Sequence, residues 1–332
     1  MTAGTVDIRG VLDSLGAVRV GVIGDFALDI YFDLIGETGD ISLETGRPVR
    51  YGSGLTSQPG AAGNLVSNLH ALGVGEICLF GATGDDLLGH ELMRAFSSME
   101  VNTDHFLVDG RLAGCAYLKP FENGSETSRI DFGTSRGPCG ALVDRLLAAL
   151  IRCSADLDVV ILNRQFADPL LDGVAIQRLN SAIRERPELP FCADFRRDGH
   201  LLRGAVLKVN ASELAGIVEC DPVDRRDAAG CMRRAREVAI ATTGPVLLTR
   251  GECGLLYVDE NAAHAVPGFQ LAGELDTVGA GDSVMAAFAA CVGAGVEMAD
   301  ALTVANAAAA VTVRKLRQTG TASPAEIEAV LA

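Results

Sequence analysis

Short apolar runs alternate along this chain with longer stretches of helical period. Residues 18–23, 76–80, 159–162, 190–193, 205–209 and 246–249 are rich in Val, Ile and Leu and stop near Gly, Asp or Asn. That pattern predicts short strands buried on both faces. Residues 63–72, 87–97, 141–151, 169–186, 226–241 and 282–293 predict the helices between them. Strand–helix alternation of this kind predicts an α/β fold, a mostly parallel sheet covered by helices on both sides.

Two regions break the rhythm. Residues 29–59 hold many Gly, Ser and Thr, with extended stretches such as 48–51, and residues 110–133 carry strand-like runs at 115–119 and 129–132 around an Asn123-Gly124 turn. An Asn-Gly pair between alternating runs is a hairpin signal. Both regions exceed an ordinary connection, which predicts a β lid over about 29–58 and 110–132. No repeat, linker or low-complexity tract divides the chain, so one domain over residues 1–332 is expected.

Charge narrows the partners. The 332 residues carry 28 Lys+Arg against 43 Asp+Glu, a net −15, which argues against nucleic acid or an anionic membrane as the main partner. Lysine occurs only at 119, 208 and 315, so arginine carries nearly all the positive charge. Nine widely spaced cysteines without a Cys-x-x-Cys argue against a zinc ribbon or a disulfide framework and suit a reducing compartment. No basic stretch followed by an apolar run opens the chain, and the longest uncharged segments, 283–296 and 301–313, fall short of the roughly 18 residues of a membrane span. A cytoplasmic protein is expected.

No Walker A loop, Gly-x-Ser-x-Gly elbow or His-Glu-x-x-His zinc motif is present. The informative stretch is Asp276-Thr277-Val278-Gly279-Ala280-Gly281-Asp282, which leads into the small, apolar residues 283–293. Small residues let backbone N–H groups approach an anion, and a helix starting near Asp282 adds free donors and a positive dipole end. A carboxylate at the edge of such a cradle can take a proton from a hydroxyl while the cradle stabilises a transferring phosphoryl group. Read by themselves, the glycines form a tight turn and Asp282 caps a helix.

DTVGAGD resembles the C-terminal signature of the PfkB/ribokinase family of carbohydrate kinases, and Pro59-Gly60-Ala61-Ala62-Gly63-Asn64 resembles its N-terminal signature, with Ala61 in place of the usual second glycine. Their order and separation fit the family over nearly the whole chain. Within the family, GVIGDFALD, PGAAGNLVSNLHALG and ANAAAAVTVRKL look most like the heptose 7-phosphate kinase domain of bifunctional heptose biosynthesis enzymes. Residues 36–57 lack that subgroup's loop pattern, and a nucleotidyltransferase half has no counterpart.

The resemblance implies a ribokinase-like three-layer sandwich with a small β lid. It implies an ATP- and Mg²⁺-dependent transfer of the γ-phosphoryl group to a hydroxyl of a sugar or sugar phosphate, with a heptose 7-phosphate-like acceptor as the leading candidate. Asp282 would be the general base, and the N–H groups of Gly279, Ala280 and Gly281 would neutralise the developing charge. Asp25, Asn64, Gly60 and Arg129 would bind the substrate. Asn210, Thr249, Gly251, Gly254 and Asn306 would bind the nucleotide. Glu213 with Asn210 would hold Mg²⁺ through water. Asp276, with Gly320 and Ser323, would hold K⁺. Asn210 with Glu213 also reads as an ordinary capping box. Arg196, Arg197 and Arg203 are further candidates for an anionic group. Lids of this kind often pair between subunits, so a homodimer is expected. Alternative substrates are a plain sugar, a sugar acid of the 2-keto-3-deoxygluconate type, or a nucleoside. A non-catalytic sugar or nucleotide sensor would have less need of Asp282 and Glu213. A nicotinamide-dependent oxidoreductase would need a Gly-x-Gly-x-x-Gly where GVIGDF stands.

Overall fold

The computed structural model describes residues 7–36, 38–134, 140–219, 221 and 223–332. The chain begins with α1 (Ile8–Ser14), β1 (Arg19–Gly24), β2 (Phe26–Ile35), β3 (Tyr51–Ala61), α2 (Ala62–Ala71), β4 (Glu76–Thr83) and α3 (Leu87–Ser98). It continues through β5 (Phe106–Val108), β6 (Ala116–Glu122), β7 (Ser125–Glu126), β8 (Ile130–Phe132), α4 (Gly140–Cys153), β9 (Val159–Arg164), α5 (Gly173–Glu185) and β10 (Phe191–Phe195). Then come β11 (Val206–Asn210), α6 (Ala211–Ile217), α7 (Ala228–Thr242), β12 (Val246–Thr249), β13 (Leu255–Val258) and β14 (Ala263–Val266). Helices α8 (Ala280–Gly293), α9 (Met298–Thr312) and α10 (Pro324–Leu331) close the chain.

The six predicted strands become β1, β4, β9, β10, β11 and β12 of one nine-stranded sheet, ordered β14-β13-β12-β11-β10-β9-β1-β4-β5. It is parallel from β5 to β12, and only the β12–β13 and β13–β14 pairings are antiparallel. One face packs on α1, α2, α3, α8, α9 and α10, the other on α4 to α7. The chain leaves β1 toward β4 on one side and returns to β9 on the other. The crevice at the carboxyl ends of β1 and β9 is therefore the place where such sheets bind ligands.

Helix α5 starts later than its sequence pattern, because Asp172 Oδ1 accepts the Ala175 N–H at 2.8 Å and sets the cap there. Helix α9 was not predicted. It is apolar on nearly every side, with ten buried residues, so it shows no amphipathic period.

The two irregular regions form a second, smaller sheet, ordered β3-β2-β6-β7, with β8 pairing β6. The Asn123-Gly124 turn joins β6 to β7, both residues at positive φ (50° and 84°), as a two-residue hairpin loop requires. Residues 115–119 and 129–132 pair as expected through Ala116↔Phe132 and Leu118↔Ile130. Residues 26–35, unrecognised in the sequence, form β2, the strand that joins the two sides of this sheet. Among the described residues no helix is long and apolar enough to cross a membrane.

Candidate active site

The Asp276–Asp282 stretch is tied down at both ends. Asp276 Oδ1 accepts the Val278 N–H at 3.0 Å, its Oδ2 accepts the Arg317 N–H at 3.1 Å, and its own N–H donates to Val313 O at 2.8 Å. Gly279 then turns at φ 78°, where a Cβ would meet Thr319 Cγ2 at 2.8 Å and Asn64 Nδ2 at 3.0 Å. Only glycine fits both the dihedral and the space. Helix α8 starts at Ala280, whose N–H is drawn to Thr277 O at 3.3 Å. The next donors, Gly281 and Asp282, lie where a helix start supplies no helical acceptor. Of the donors expected at 279–281, the Ala280 N–H is engaged by Thr277 O.

Asp282 stands in the first turn of α8 beside a buried charge cluster. Lys208 Nζ, on β11, lies 3.0 Å from Asp194 Oδ2, on β10, and both side chains are under a tenth exposed. Asn64 Nδ2 donates to Asp282 Oδ2 at 2.6 Å. Burial and the nearby Asp194 carboxylate push the Asp282 carboxyl up to about 7, with Lys208 and Asn64 opposing and Asp29 adding to the rise. Glu213 is raised as well, first by burial. Lys208 is pushed upward because Asp194, Asp282 and Glu213 together outweigh the cost of burying its ammonium. The arrangement is a carboxylate poised near neutrality with an ammonium beside it, at the positive end of a helix.

On one side of Asp282 opens a cavity of about 320 Å³ between the two sheets, lined also by Asp29, Lys119, Arg129, Arg196 and Glu126. Lys119 Nζ contacts Asp29 Oδ1 at 2.9 Å, and Thr319 Oγ1 donates to Asp29 Oδ2 at 3.0 Å. Arg129 holds Asp131 through two hydrogen bonds of 2.7 and 3.0 Å and lies 4.8 Å over the Tyr117 ring. Arg196 makes no ion pair among the described residues. Arg203 donates to the carbonyls of His200 and Leu202 instead.

Asp25 and Asn64 do not sit where the sequence reading put them. Asp25 is fully buried, and its carboxylate accepts the backbone N–H groups of Gln165, Phe166 and Leu170 at 2.9, 2.9 and 2.7 Å. It organises the loop after β9, and the carboxylate facing the cavity is Asp29, four residues later. Asn64 is 1% exposed and directs its amide to Asp282 and Asn68. Gly60 lies behind Asp29, where a Cβ would come within 2.9 Å of the Asp29 carboxyl carbon.

A second cavity, about 230 Å³ and mostly apolar, lies across Thr277 from the first and is lined by Gly251, Phe269, Leu275, Asn306 and Val313. Asn306 holds Pro267 O at 2.8 Å there. Thr249 and Gly254 are not in its wall. Thr249 Oγ1 reaches Val209 O at 3.4 Å, and Gly254 (φ 86°) is needed because a Cβ would strike Val266 O at 2.1 Å. A flat apolar slot and an acid–base cavity thus meet at one glycine turn.

The profile described as pfkB family carbohydrate kinase matches residues 20–326. The chain belongs to the pfkB family of carbohydrate kinases. The kinase is 36% identical over 324 residues to the bifunctional protein HldE of Halorhodospira halophila (strain DSM 244 / SL1), covering 95% of this chain and 63% of that protein. It is 32% identical over 336 residues to the bifunctional protein HldE of Shewanella amazonensis (strain ATCC BAA-1098 / SB2B), covering 97% and 65%. The chain therefore spans just under two thirds of the length of these relatives. Among solved structures it is similar to phosphofructokinase-2 from Escherichia coli in complex with potassium (TM-score 0.76, 16% identity, 94% of this chain and 98% of that one). It is also similar to Arabidopsis thaliana ribokinase complexed with ribose and ATP (TM-score 0.73, 17% identity, 95% and 99%). These two likenesses carry the ribokinase-like fold. As a family member the kinase is a phosphotransferase with an alcohol group as acceptor, and its family uses ATP and Mg²⁺.

The kinase's own residues fit Mg²⁺ only at a distance. Asn210 Oδ1 accepts the N–H groups of Ser212 and Glu213, both at 2.9 Å, while Glu213 Oε2 accepts the Asn210 N–H at 2.8 Å. The capping box is real, and it leaves Glu213 Oε1 outside it. No cluster of three acidic, His or Cys ligands able to hold a metal occurs among the described residues. A lone hard-oxygen carboxylate suits a hydrated Mg²⁺ carried by the nucleotide phosphates.

The residues expected to hold K⁺ fit poorly. Both Asp276 oxygens accept backbone N–H groups, and Ser323 Oγ donates to Glu326 Oε2 at 2.8 Å within its own capping box. A cation already held in that loop is Lys315, 2.6 Å from Thr321 O and 2.7 Å from Glu326 Oε1.

Sequence reasoning missed Asp29, Lys119, Asp194 and Lys208. One signal was available, since two of only three lysines lie inside otherwise apolar strand sequence, where a charge is placed for a partner.

Proposed function

We propose that the kinase phosphorylates a hydroxyl of a sugar that already bears an anionic group, with a sugar phosphate of the heptose 7-phosphate type as the leading class. The observation that carries this reading is the cavity with Asp282 at one end and Arg129, Arg196 and Lys119 in its walls. With Lys119 paired to Asp29 and Arg129 to Asp131, Arg196 supplies the anion pole, and Asp29 and Asp282 supply hydroxyl acceptors. The heptose assignment is supported by the resemblance of GVIGDFALD, PGAAGNLVSNLHALG and ANAAAAVTVRKL to heptose 7-phosphate kinase domains. Arg196, exposed and without an ion pair among the described residues, is the cation left for an anionic group of the substrate.

The adenine ring fits the apolar cavity beside Asn306, which brings the phosphates to the start of α8. Asp282 takes the proton of the acceptor hydroxyl as that oxygen bonds to the γ-phosphorus and the bond to the bridging oxygen of ADP breaks. The N–H groups of Gly281 and Asp282, with the Lys208 ammonium, balance the charge on the transferring group. Bound Mg²⁺ would neutralise phosphate charge, and Glu213 would hold its waters. Asp29 and Lys119 orient the sugar, and the small sheet excludes competing water.

The test is ADP release with ATP and Mg²⁺ over matched sugars and sugar phosphates, for wild type and Arg196→Ala. The reading requires at least a hundredfold preference in kcat/KM for a phosphorylated acceptor, lost mainly through KM in the variant. Equal use of both members of a pair would discard it. Asp282→Asn tests the chemistry separately, and turnover near wild type would remove Asp282 as base.

We also infer a homodimer through the small sheet. Its edge strand β3 is eleven residues long and exposed from Tyr51 to Ser57, with Leu55 three-quarters exposed. Such an edge invites pairing. Sedimentation of wild type and Leu55→Lys checks it, a dimer turning to monomer being the expected result.

A further inference from the structure

Behind Asp282 a string of buried polar side chains crosses the packing of α2, α8 and α9. Asn64, Asn68 and Ser283 are 1% exposed and Thr312 is fully buried, in a core otherwise built from Leu, Val, Ala and Phe. Asn68 Nδ2 donates to Asn64 O at 2.9 Å and to Asn64 Oδ1 at 3.1 Å. Ser283 Oγ donates to Asn68 Oδ1 at 2.7 Å and lies 2.8 Å from Thr312 Oγ1.

The polarity of this string follows from one acceptor. A backbone carbonyl can only accept, so the Asn68 atom facing Asn64 O is its NH₂. Asn68 Oδ1 then faces Ser283 Oγ, which donates to it; Ser283 Oγ also lies 3.2 Å from Gly279 O, and Thr312 Oγ1 donates to Ala308 O at 3.0 Å. The second N–H of Asn68 meets Asn64 Oδ1, so the Asn64 NH₂ is the group turned to Asp282. From Ser283 through Asn68 and Asn64 each bond points the same way, and the string ends on the Asp282 carboxylate. Without Asn68, the Asn64 amide could present either end, and its oxygen would repel the ionised carboxylate.

We propose that Asn68 and Ser283 are positioning residues that hold the Asn64 amide in the orientation that keeps Asp282 ionised and aimed at the acceptor. The proposal rests on Asp282 being the base. The other charged groups that act on Asp282 are Asp194 from β10, Lys208 from β11 and Asp29 from β2. None of them contacts Asn68, so changes at Asn68 act through Asn64.

The test follows the Asp282 carboxyl directly by ¹³C NMR titration of aspartate-labelled full-length kinase, assigned with Asp282→Asn. The probes are Asn68→Leu, Ser283→Ala and Asn64→Leu, all neutral, so no new charge enters. Loss of a hydrogen bond to the ionised form predicts a midpoint about one pH unit higher in Asn68→Leu. Ser283→Ala is expected to shift in the same direction by less. Asn68→Leu added to Asn64→Leu is expected to add no further shift. Midpoints within 0.2 units of wild type (about the assay error) in folded Asn68→Leu and Ser283→Ala would overturn the proposal, even if both lower the melting temperature. If Asn68→Leu does not fold, Ser283→Ala decides. Failure of the base assignment would show separately, as an active Asp282→Asn.

Discussion

Lys208→Met removes the one ammonium facing three carboxylates, and its consequences separate in experiment. The Lys208–Asp194 contact is 3.0 Å with both side chains under a tenth exposed. At an effective dielectric near 20 the direct attraction is about 5 kcal/mol, before the cost of desolvating both charges. Removing one partner leaves Asp194 buried and uncompensated, which typically costs about 3–5 kcal/mol. Methionine fills the volume, so little of the loss is a cavity. Urea unfolding at pH 7 is expected to show that loss, and Lys208→Met with Asp194→Leu to recover more than half of it. The variant carries carboxylates raised in the folded state, so its folded form binds more protons than its unfolded form. Its deficit therefore shrinks as pH falls from 7 toward 5. Phosphoryl transfer is expected to stay lost in both variants, since neither restores the cation. A stability loss under about 1 kcal/mol, or one that does not change with pH, would refute a dry, coupled cluster.

Asp282→Asn should make the protein more stable above neutrality. The raised carboxyl destabilises the fold progressively as pH climbs from its unfolded value to about 7, and the amide removes that penalty. Urea midpoints at pH 5 and pH 8 check this, with a gain on the order of 1–3 kcal/mol at pH 8 and roughly a third of that at pH 5. Ala61→Gly should stabilise by about 1 kcal/mol in the same assay, because Ala61 sits at φ 53°, ψ −126°, a region open to glycine. Asp25→Ala strips three buried backbone N–H groups of their acceptor, so a loss of about 3 kcal/mol or more is expected, with ATP binding retained in whatever fraction folds. Gly279→Ala should cost both stability and turnover, read by melting temperature and ADP release, since Thr319 and Asn64 occupy the space of the new methyl.

The parallel strands were legible because burial on both faces leaves an apolar run that ends abruptly, and the glycine turn because few residues can make it. Asp25 and Asp29 show where legibility stops. Both carboxylates follow the first strand within GDFALD, and nothing in that string says which one is sequestered by the amides of residues 165–170. That depends on a loop some 140 residues away. Asn68 was equally silent, because a polar residue on an amphipathic helix reads as surface until its partners on α8 and α9 are known. The Asn210–Glu213 box was readable as a cap, and a cap it is. The magnesium role proposed for it would depend on Asp194 and Lys208 arriving from neighbouring strands.

The same dependence explains why residues 313–321 matter more than their composition suggests. Arg317 donates its N–H to Asp276, lies 4.7 Å over the Phe121 ring, and reaches Asp33 Oδ1 at 3.3 Å. Thr319 donates to Asp29, accepts from Gln58 Nε2 at 2.8 Å, and packs its methyl where Gly279 has no Cβ. One short segment thus touches the anion cradle on one side and strands β2, β3 and β6 of the small sheet on the other. A substrate that draws on Asp29 and Lys119 under that sheet competes directly with Thr319 for the Asp29 carboxylate. If the cavity takes the sugar as proposed, its filling and the setting of the glycine turn would be linked through Thr319. This linkage suits a kinase that must not pass its phosphoryl group to water before an acceptor is in place.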